Sequence, residues 1–516
     1  MVVAFLFSLF QNGPGYMDSA YYTVGGLQLY EGKGFYEPYI WNYLVEPKGI
    51  PAPAFLYWMP LPSLLVFSGM FAGQSASFFW AKIPFIFVAG LLPALTVFLA
   101  KKWLINPKFA WIAGGLALFP GLYSIYLSIP ESFTIYMVGG ALFLILGFVA
   151  DHQNLNKWEG LPRYLILGVT AGYMHLARAD GLLYLIAAIG IGTLKLPTRR
   201  EIGNKIRIAI MRIGAVIAGY ALIMGWWYYR NWMEFGTLFP PGNGKTIWLT
   251  TYNQLYSFPS DHLTFSQWLK EGFASLLDAR WNAFKLNIQN FLGVQASVVL
   301  FPLILIGCWW NKNKLEVKFS ILMWGSIFLL MTFVFPFAGS RGGFLHSGAA
   351  IQLFFWAIAA AGLERIVLRM KELRNWKIFP AMSVFGAFLI IVNLSIALWF
   401  YYYRVIGDTG NPPVWNQSLE QYEKIGLRLK ELGVDQQEIG MVNNPPGYYW
   451  ATRLPGIAIP DGDLSHTLMA AKKFGASYLL LEANQENLLD LFHNPQSMDG
   501  MRYIETFENT HIFFIK

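Results

Sequence analysis

Long apolar runs alternate along the chain with short polar segments, most of them basic. Roughly 20 apolar residues are needed to cross about 30 Å of hydrocarbon. Runs of that kind fall at about 78–100, 110–128, 132–150, 164–177, 181–196, 213–229, 291–310, 319–337, 349–368 and 378–402. The pair 164–177 and 181–196 is short and is split by Arg178-Ala179-Asp180-Gly181, whose charges belong at a membrane surface or in a polar cavity. The opening run, Met1 to Phe10, is too short to span and reads as an incomplete first span, with no signal-peptide cleavage pattern after it. Counting it gives about eleven transmembrane helices in an α-helical polytopic membrane protein.

After residue 403 the apolar runs shorten and alternate. Ile439–Val442, Gly456–Pro460, Ser477–Glu482, Arg502–Phe507 and His511–Ile515 predict strands, and Leu464–Phe474 and Gln485–Phe492 predict helices. Asn443-Asn444-Pro445-Pro446-Gly447 reads as a turn cluster. The expected organisation is a transmembrane domain over 1–403 and a small soluble α/β domain over 404–516.

Composition agrees. The 516 residues are 55% hydrophobic and 13% charged, with a mean hydropathy of +0.41. Soluble chains carry about 25% charged residues, so a soluble enzyme is excluded. The single cysteine, Cys308, excludes an internal disulfide and a cysteine metal site.

Charge adds orientation. Residues 1–403 hold 29 Lys/Arg and 16 Asp/Glu, whereas 404–516 hold 9 and 14. Alternate short loops at 101–109, 151–163, 195–212, 311–318 and 364–377 carry 19 of those 29 bases, including Lys157, Lys195, Arg199 and Arg200. The intervening loops 11–77 and 230–290 are long and sparsely basic. The positive-inside rule puts the first set in the cytoplasm, and the long loops and the tail outside. The protein is therefore expected in the cytoplasmic membrane with its C-terminal domain extracytoplasmic. The basic excess needs no nucleic acid, since no basic-aromatic recognition motif accompanies it.

Candidate chemistry collects on the outer side. Asp18 opens an apolar-aromatic run to Tyr30 that predicts a helix lying along the membrane interface; it is either a helix cap or a proton-abstracting base. Glu131, after Pro130 at the mouth of a span, is a cap or a functional acid, and the two carboxylates could share a divalent cation. Arg178 and Asp180 form an ion pair, or Arg178 binds a phosphate; His175 nearby reads as a core histidine. Arg230 and Asn231 follow an aromatic belt, where Arg230 snorkels or meets an anionic headgroup. Arg341 and His346 lie in Gly339-Ser340-Arg341-Gly342-Gly343-Phe344-Leu345-His346-Ser347-Gly348, whose composition suits a phosphate, and Lys82 sits near the top of a span. Outward bases at membrane depth suit a lipid-linked phosphate.

With these residues in this order, the chain resembles the GT-C superfamily of integral membrane glycosyltransferases, in particular bacterial relatives of protein O-mannosyltransferases and aminoarabinose transferases. The resemblance rests on Asp18 with its helix, Glu131, Arg178-Ala179-Asp180-Gly181, Arg230-Asn231-Trp232-Met233-Glu234-Phe235-Gly236 with Pro240-Pro241, and Arg341-Gly342-Gly343 with His346-Ser347-Gly348. It covers about residues 11–370 and implies inverting transfer of a sugar from a polyprenyl-phosphate donor to an extracytoplasmic glycan, lipid or protein acceptor. It carries the general-base role to Asp18 and a metal or acceptor contact to Glu131. Donor-phosphate contacts fall to Arg178, Arg230 and Arg341, with His346 and Lys82 beside them. Many members begin with an acidic pair; here Asp18 is followed by Ser19. A transporter or flippase for a lipid-linked anion would need the bases but not Asp18, and a non-catalytic scaffold would need neither.

Overall fold

The computed structural model describes residues 1–149, 160–194, 202–260, 263–408, 412–483 and 485–516; Lys157, Lys195, Arg199 and Arg200 lie outside the described residues. The chain divides into two compact units. One comprises Met1–Ser8, Phe85–Leu238 and Arg280–Tyr402, the other Leu9–Pro84, Phe239–Ala279 and Tyr403–Lys516.

Among the described residues of the first unit, every regular element is a helix. Among the described residues of the whole chain, five helices are long and apolar enough to cross a bilayer: Phe78–Ala100, Ile202–Phe235, Leu315–Val334, Pro336–Arg374 and Ile378–Ile406. Shorter apolar helices at Leu61–Gly73, Ser132–Phe148, Ala179–Thr193 and Phe301–Trp310 accompany them. Large apolar side chains such as Leu222, Leu322, Phe379, Val384 and Ile391 are exposed on the long helices, as a lipid-facing surface requires. Pro336–Arg374 differs in being buried along most of its length, which makes it the central helix of its unit. Glu364, buried on it, accepts from the backbone N–H groups of Ile105 and Asn106 at 2.6 and 2.8 Å. A buried carboxylate needs donors of this kind, and here they hold the loop after residue 100 against the helix.

The second unit gathers both long loops and the tail. Strands β1 (Tyr36–Glu37) and β3 (Ala52–Pro53) form an antiparallel pair. Strand β2 (Tyr39–Ile40) joins β4 (Ile439–Val442), β5 (Gly456–Ala458), β6 (Ala476–Leu481), β7 (Met501–Phe507) and β8 (Thr510–Ile515) in one sheet ordered β2-β5-β4-β6-β8-β7. β5, β4 and β6 run parallel, and β8 and β7 close the far edge antiparallel. The chain winds from β4 to β5 on one side, then crosses back to β6 on the other. Right-handed crossovers of opposite direction put their helices on opposite faces. Accordingly Met441, Leu479 and Phe513 pack with Ala470 and Phe474 of the helix Leu464–Phe474, while Val442, Leu480 and Ile512 pack with Ile425 of Gln417–Glu431 and Tyr448 of Pro445–Thr452. Asn443–Gly447 is a helix start rather than a plain turn: the Asn444 side chain accepts from Gly447 N at 3.0 Å, and two prolines occupy the first positions, where an N–H is dispensable.

The helix Met17–Tyr30 also departs from expectation. Every residue from Ser19 to Gln28 is buried, so it does not present one face to an interface. Its buried polar side chains include partnered ones that can be enclosed: Thr23 donates to the Ser19 carbonyl at 2.6 Å, and Gln28 donates to Tyr449 at 3.3 Å.

Candidate functional site

In the first unit the structure brings four of the sequence candidates together. Glu131 caps the helix Ser132–Leu144 from an extended backbone, with Oε1 accepting from Ser132 N at 2.6 Å and from Ser132 Oγ at 3.1 Å. The cap is satisfied, as burial of that acid demands. His346, on the short helix Phe344–Gly348, lies with Nδ1 3.0 Å from Ser132 Oγ and 3.5 Å from Glu131 Oε1. Its ring stacks on Phe133 at 3.9 Å. Gly140, two turns further along the Ser132 helix, permits this approach: a Cβ there would overlap the Ala350 carbonyl, just after the His346 helix.

Arg178 stands beside this pair. It ends the helix Leu161–Ala177 in extended conformation, Nε donating to Asp180 Oδ1 at 2.9 Å and Nη2 to Ser347 Oγ at 3.4 Å. Tyr136, one turn along the Glu131-capped helix, donates to Asp180 Oδ2 at 3.1 Å and presents its ring 5.8 Å from the guanidinium. The guanidinium is thus aligned by a carboxylate, which is itself held by a phenol. Such a fork suits a phosphate oxygen.

The remaining candidates of this unit lie in other contacts. Arg230 Nη1 donates to Asn231 Oδ1 at 3.1 Å and lies over the Trp227 and Phe235 rings; buried Asn231 donates to the Leu238 carbonyl at 3.0 Å. Arg341 is exposed in a kinked segment, Gly339–Gly343, where Gly342 takes a φ of +118°. His175 is a core histidine, as read: Nδ1 lies 2.5 Å from Tyr220 OH, which meets Tyr228 OH at 2.6 Å.

In the second unit Asp18 is not the cap. Tyr16 occupies the N-cap position, and Asp18 is in the first turn of Met17–Tyr30, where a carboxylate complements the helix N-terminus. One turn on, Tyr21 enters an aromatic cluster in which Trp41 and Trp58 stack at 4.2 Å. Tyr21 OH donates to the buried Glu37 at 2.5 Å, and Glu37 also accepts from Phe55 N at 2.9 Å. Burial and the Glu37 charge hold the Tyr21 phenol well above its ordinary range, so it remains a donor. Lys82 is buried, with Nζ donating to the Gln11 carbonyl at 2.8 Å. Sequence reasoning missed Ser132, Tyr136 and Glu37. Ser132 and Tyr136 belong to an apolar helix, and Glu37 to a two-residue strand that no periodicity marks; its neighbours in an aromatic-rich stretch were the one available signal.

No protein-family model matches the chain, and no curated protein matches it. Solved structures do. ArnT from Cupriavidus metallidurans in the apo state matches with a TM-score of 0.57 at 9% identity, over 99% of this chain and 96% of that one. Its complex with undecaprenyl phosphate gives 0.56 with the same identity and coverage. The archaeal oligosaccharyltransferase AglB from Archaeoglobus fulgidus, in complex with an inhibitory peptide and a dolichol-phosphate, gives 0.50 at 11% identity over 94% and 69%. At such identities the likeness is one of fold. The chain shares the fold of ArnT and AglB, and its long apolar helices make it an integral membrane protein.

Proposed function

We propose that the protein is an inverting membrane glycosyltransferase that passes a sugar from a polyprenyl-phosphate donor to an extracytoplasmic acceptor. The observation that carries the proposal is the aligned guanidinium of Arg178 beside the buried Glu131–Ser132–His346 group. The fold neighbours with undecaprenyl phosphate and with dolichol-phosphate support a lipid-phosphate donor. In this reading Asp18 takes the proton from an acceptor hydroxyl or amine, whose heteroatom attacks the anomeric carbon. The bond from that carbon to the phosphate oxygen breaks, and the polyprenyl phosphate leaves with the electron pair. Arg178 stabilises the developing charge, with Arg230 and Arg341 on the donor side. Glu131 orients His346 and Ser132 toward the reacting groups. A flippase for the same lipid is less favoured, since translocation gives Asp18 no chemical duty.

The test is transfer from synthetic polyprenyl-phosphate sugars in liposomes, followed as release of polyprenyl phosphate with a glycosylated product. Movement of the intact lipid-linked sugar with no bond cleavage would favour the transporter instead. Orientation is tested separately, by reporters fused after Lys516 and within 195–212; only the first should be active outside the cytoplasm.

A further inference from the structure

At the opposite, basic end of the first unit, three cations converge without being used by the chemistry above. Lys314, in the turn before the helix Leu315–Leu329, donates through Nζ to the Lys102 carbonyl at 2.9 Å. Arg365, on the central helix, lies over the Trp310 ring at 5.2 Å. Contacts draw the three together: Lys314 is held on the Lys102 backbone, Arg365 packs on Trp310 at the end of the helix that leads to Lys314, and Glu364, next to Arg365, holds Ile105 and Asn106 just after Lys102. Burial lowers the Lys314 pKa, Glu316 opposes that, and the charges of Arg365 and Lys102 lower it further, as this placement requires. Like charges so gathered repel, and the arrangement is relieved by an anion between them. Glu364, held by the Ile105 and Asn106 backbone, and Glu316 offset part of this charge, and the three cations still outnumber the two acids. Lys312 lies over the Trp309 ring at 3.9 Å.

The surroundings are apolar and open. Ile105, Leu305, Trp309 and Trp310 are all exposed, on a helix and loop of a membrane-spanning unit. Tryptophans in this position mark the headgroup level of a bilayer. A cationic group with an apolar flank fits an amphiphile with an anionic head, and a free anion would not need the flank.

We infer that Lys102, Lys314 and Arg365 form a binding site for the phosphate headgroup of an anionic phospholipid, whose acyl chains lie along Leu305 and Trp309. Each cation near a membrane surface adds about fivefold to such binding, so their joint removal costs about a hundredfold.

Native mass spectrometry of the full chain, released from zwitterionic micelles after incubation with phosphatidylglycerol or phosphatidylcholine, tests this. The wild type should retain phosphatidylglycerol selectively. A triple variant, Lys102→Gln, Lys314→Gln and Arg365→Gln, should lose that selectivity. A control pair on the same helix, Arg369→Gln and Lys371→Gln, should keep it, and single Gln variants should each lose part of it if the triple variant is unstable. Equal retention of both lipids by the wild type overturns the site, as does equal loss in the control pair. Full competition by millimolar inorganic phosphate would assign the cluster to a free anion and overturn the lipid.

Discussion

Ser132 Oγ and His346 Nδ1 lie 3.0 Å apart although 214 positions separate them in the chain. The contact joins one helix start to the glycine-rich start of the central helix, and Glu131 lies against both partners. Glu131→Gln should keep a side-chain oxygen for Ser132 N, and with it the fold, while transfer falls by roughly 10²-fold or more. Glu131→Ala should also lose about 0.5–2 kcal/mol of helix-cap stability. Transfer rates and melting temperatures of the two variants side by side separate the roles.

Arg178 is aligned by Asp180, and Asp180 by Tyr136. Arg178→Ala should raise the donor KM at least tenfold with little change in acceptor KM, and Arg178→Lys should recover only part of the loss, because an ammonium lacks the planar fork. Tyr136→Phe should give a smaller shift in the same direction. Donor and acceptor titrations of the three variants check the order.

Trp415 Nε1 donates to the Gly13 carbonyl at 2.9 Å, and Asn416 accepts from Asn12 N at 3.0 Å. This strap sets the entry to the helix that carries Asp18. Gly15 within it has a φ of +78°, and a Cβ there would overlap the Trp415 ring. Gly15→Ala should therefore cost on the order of 1–3 kcal/mol and displace the start of that helix. A lowered melting temperature together with lost transfer is expected; Gly32→Ala, where φ is +74° with open space around it, should lower stability but spare transfer.

Glu482 sits at the end of β6, where Tyr422 OH donates to it at 3.0 Å. Burial holds its carboxyl above the ordinary value, against the Asn443 and Tyr422 hydrogen bonds that pull it down. The folded chain then binds that proton more tightly than the unfolded one. The stability it contributes is present below the unfolded pKa and is lost as pH rises through the folded value. Glu482→Gln should gain melting temperature relative to the wild type as pH rises above the ordinary glutamate value of about 4.3. A constant difference across that rise would contradict the burial.

Much of this was legible in the sequence because its signals are local. Apolar runs mark helix positions, and the tail strands alternate faces; the observed strands begin and end within about two residues of the expected ones. Glu131, Arg178 and Asp180 stood out as charges at the ends of apolar runs. What escaped depends on distant pairing. Tyr39–Ile40 joins the tail sheet beside Gly456–Ile457, a two-residue parallel contact that no periodicity announces. Tyr136 and Ser132 read as ordinary members of an apolar helix until Asp180 and His346 are placed beside them. The burial of Met17–Tyr30 was hidden for another reason: tyrosines and glycines suit an interface and an aromatic core equally well.

Proton abstraction by Asp18 is the step on which glycosyl transfer from a lipid phosphate turns in this proposal. Asp18 is not the helix cap, so Asp18→Asn should leave folding nearly intact, while its amide cannot accept the acceptor's proton. The direct measurement is turnover of a synthetic polyprenyl-phosphate sugar by wild type and Asp18→Asn in liposomes, with melting temperature recorded on the same samples. A loss of roughly 10²–10⁴-fold is expected, with the melting temperature falling by no more than a lost charge at a helix N-terminus costs, about 0.3–1 kcal/mol. Near-normal turnover by Asp18→Asn would contradict it.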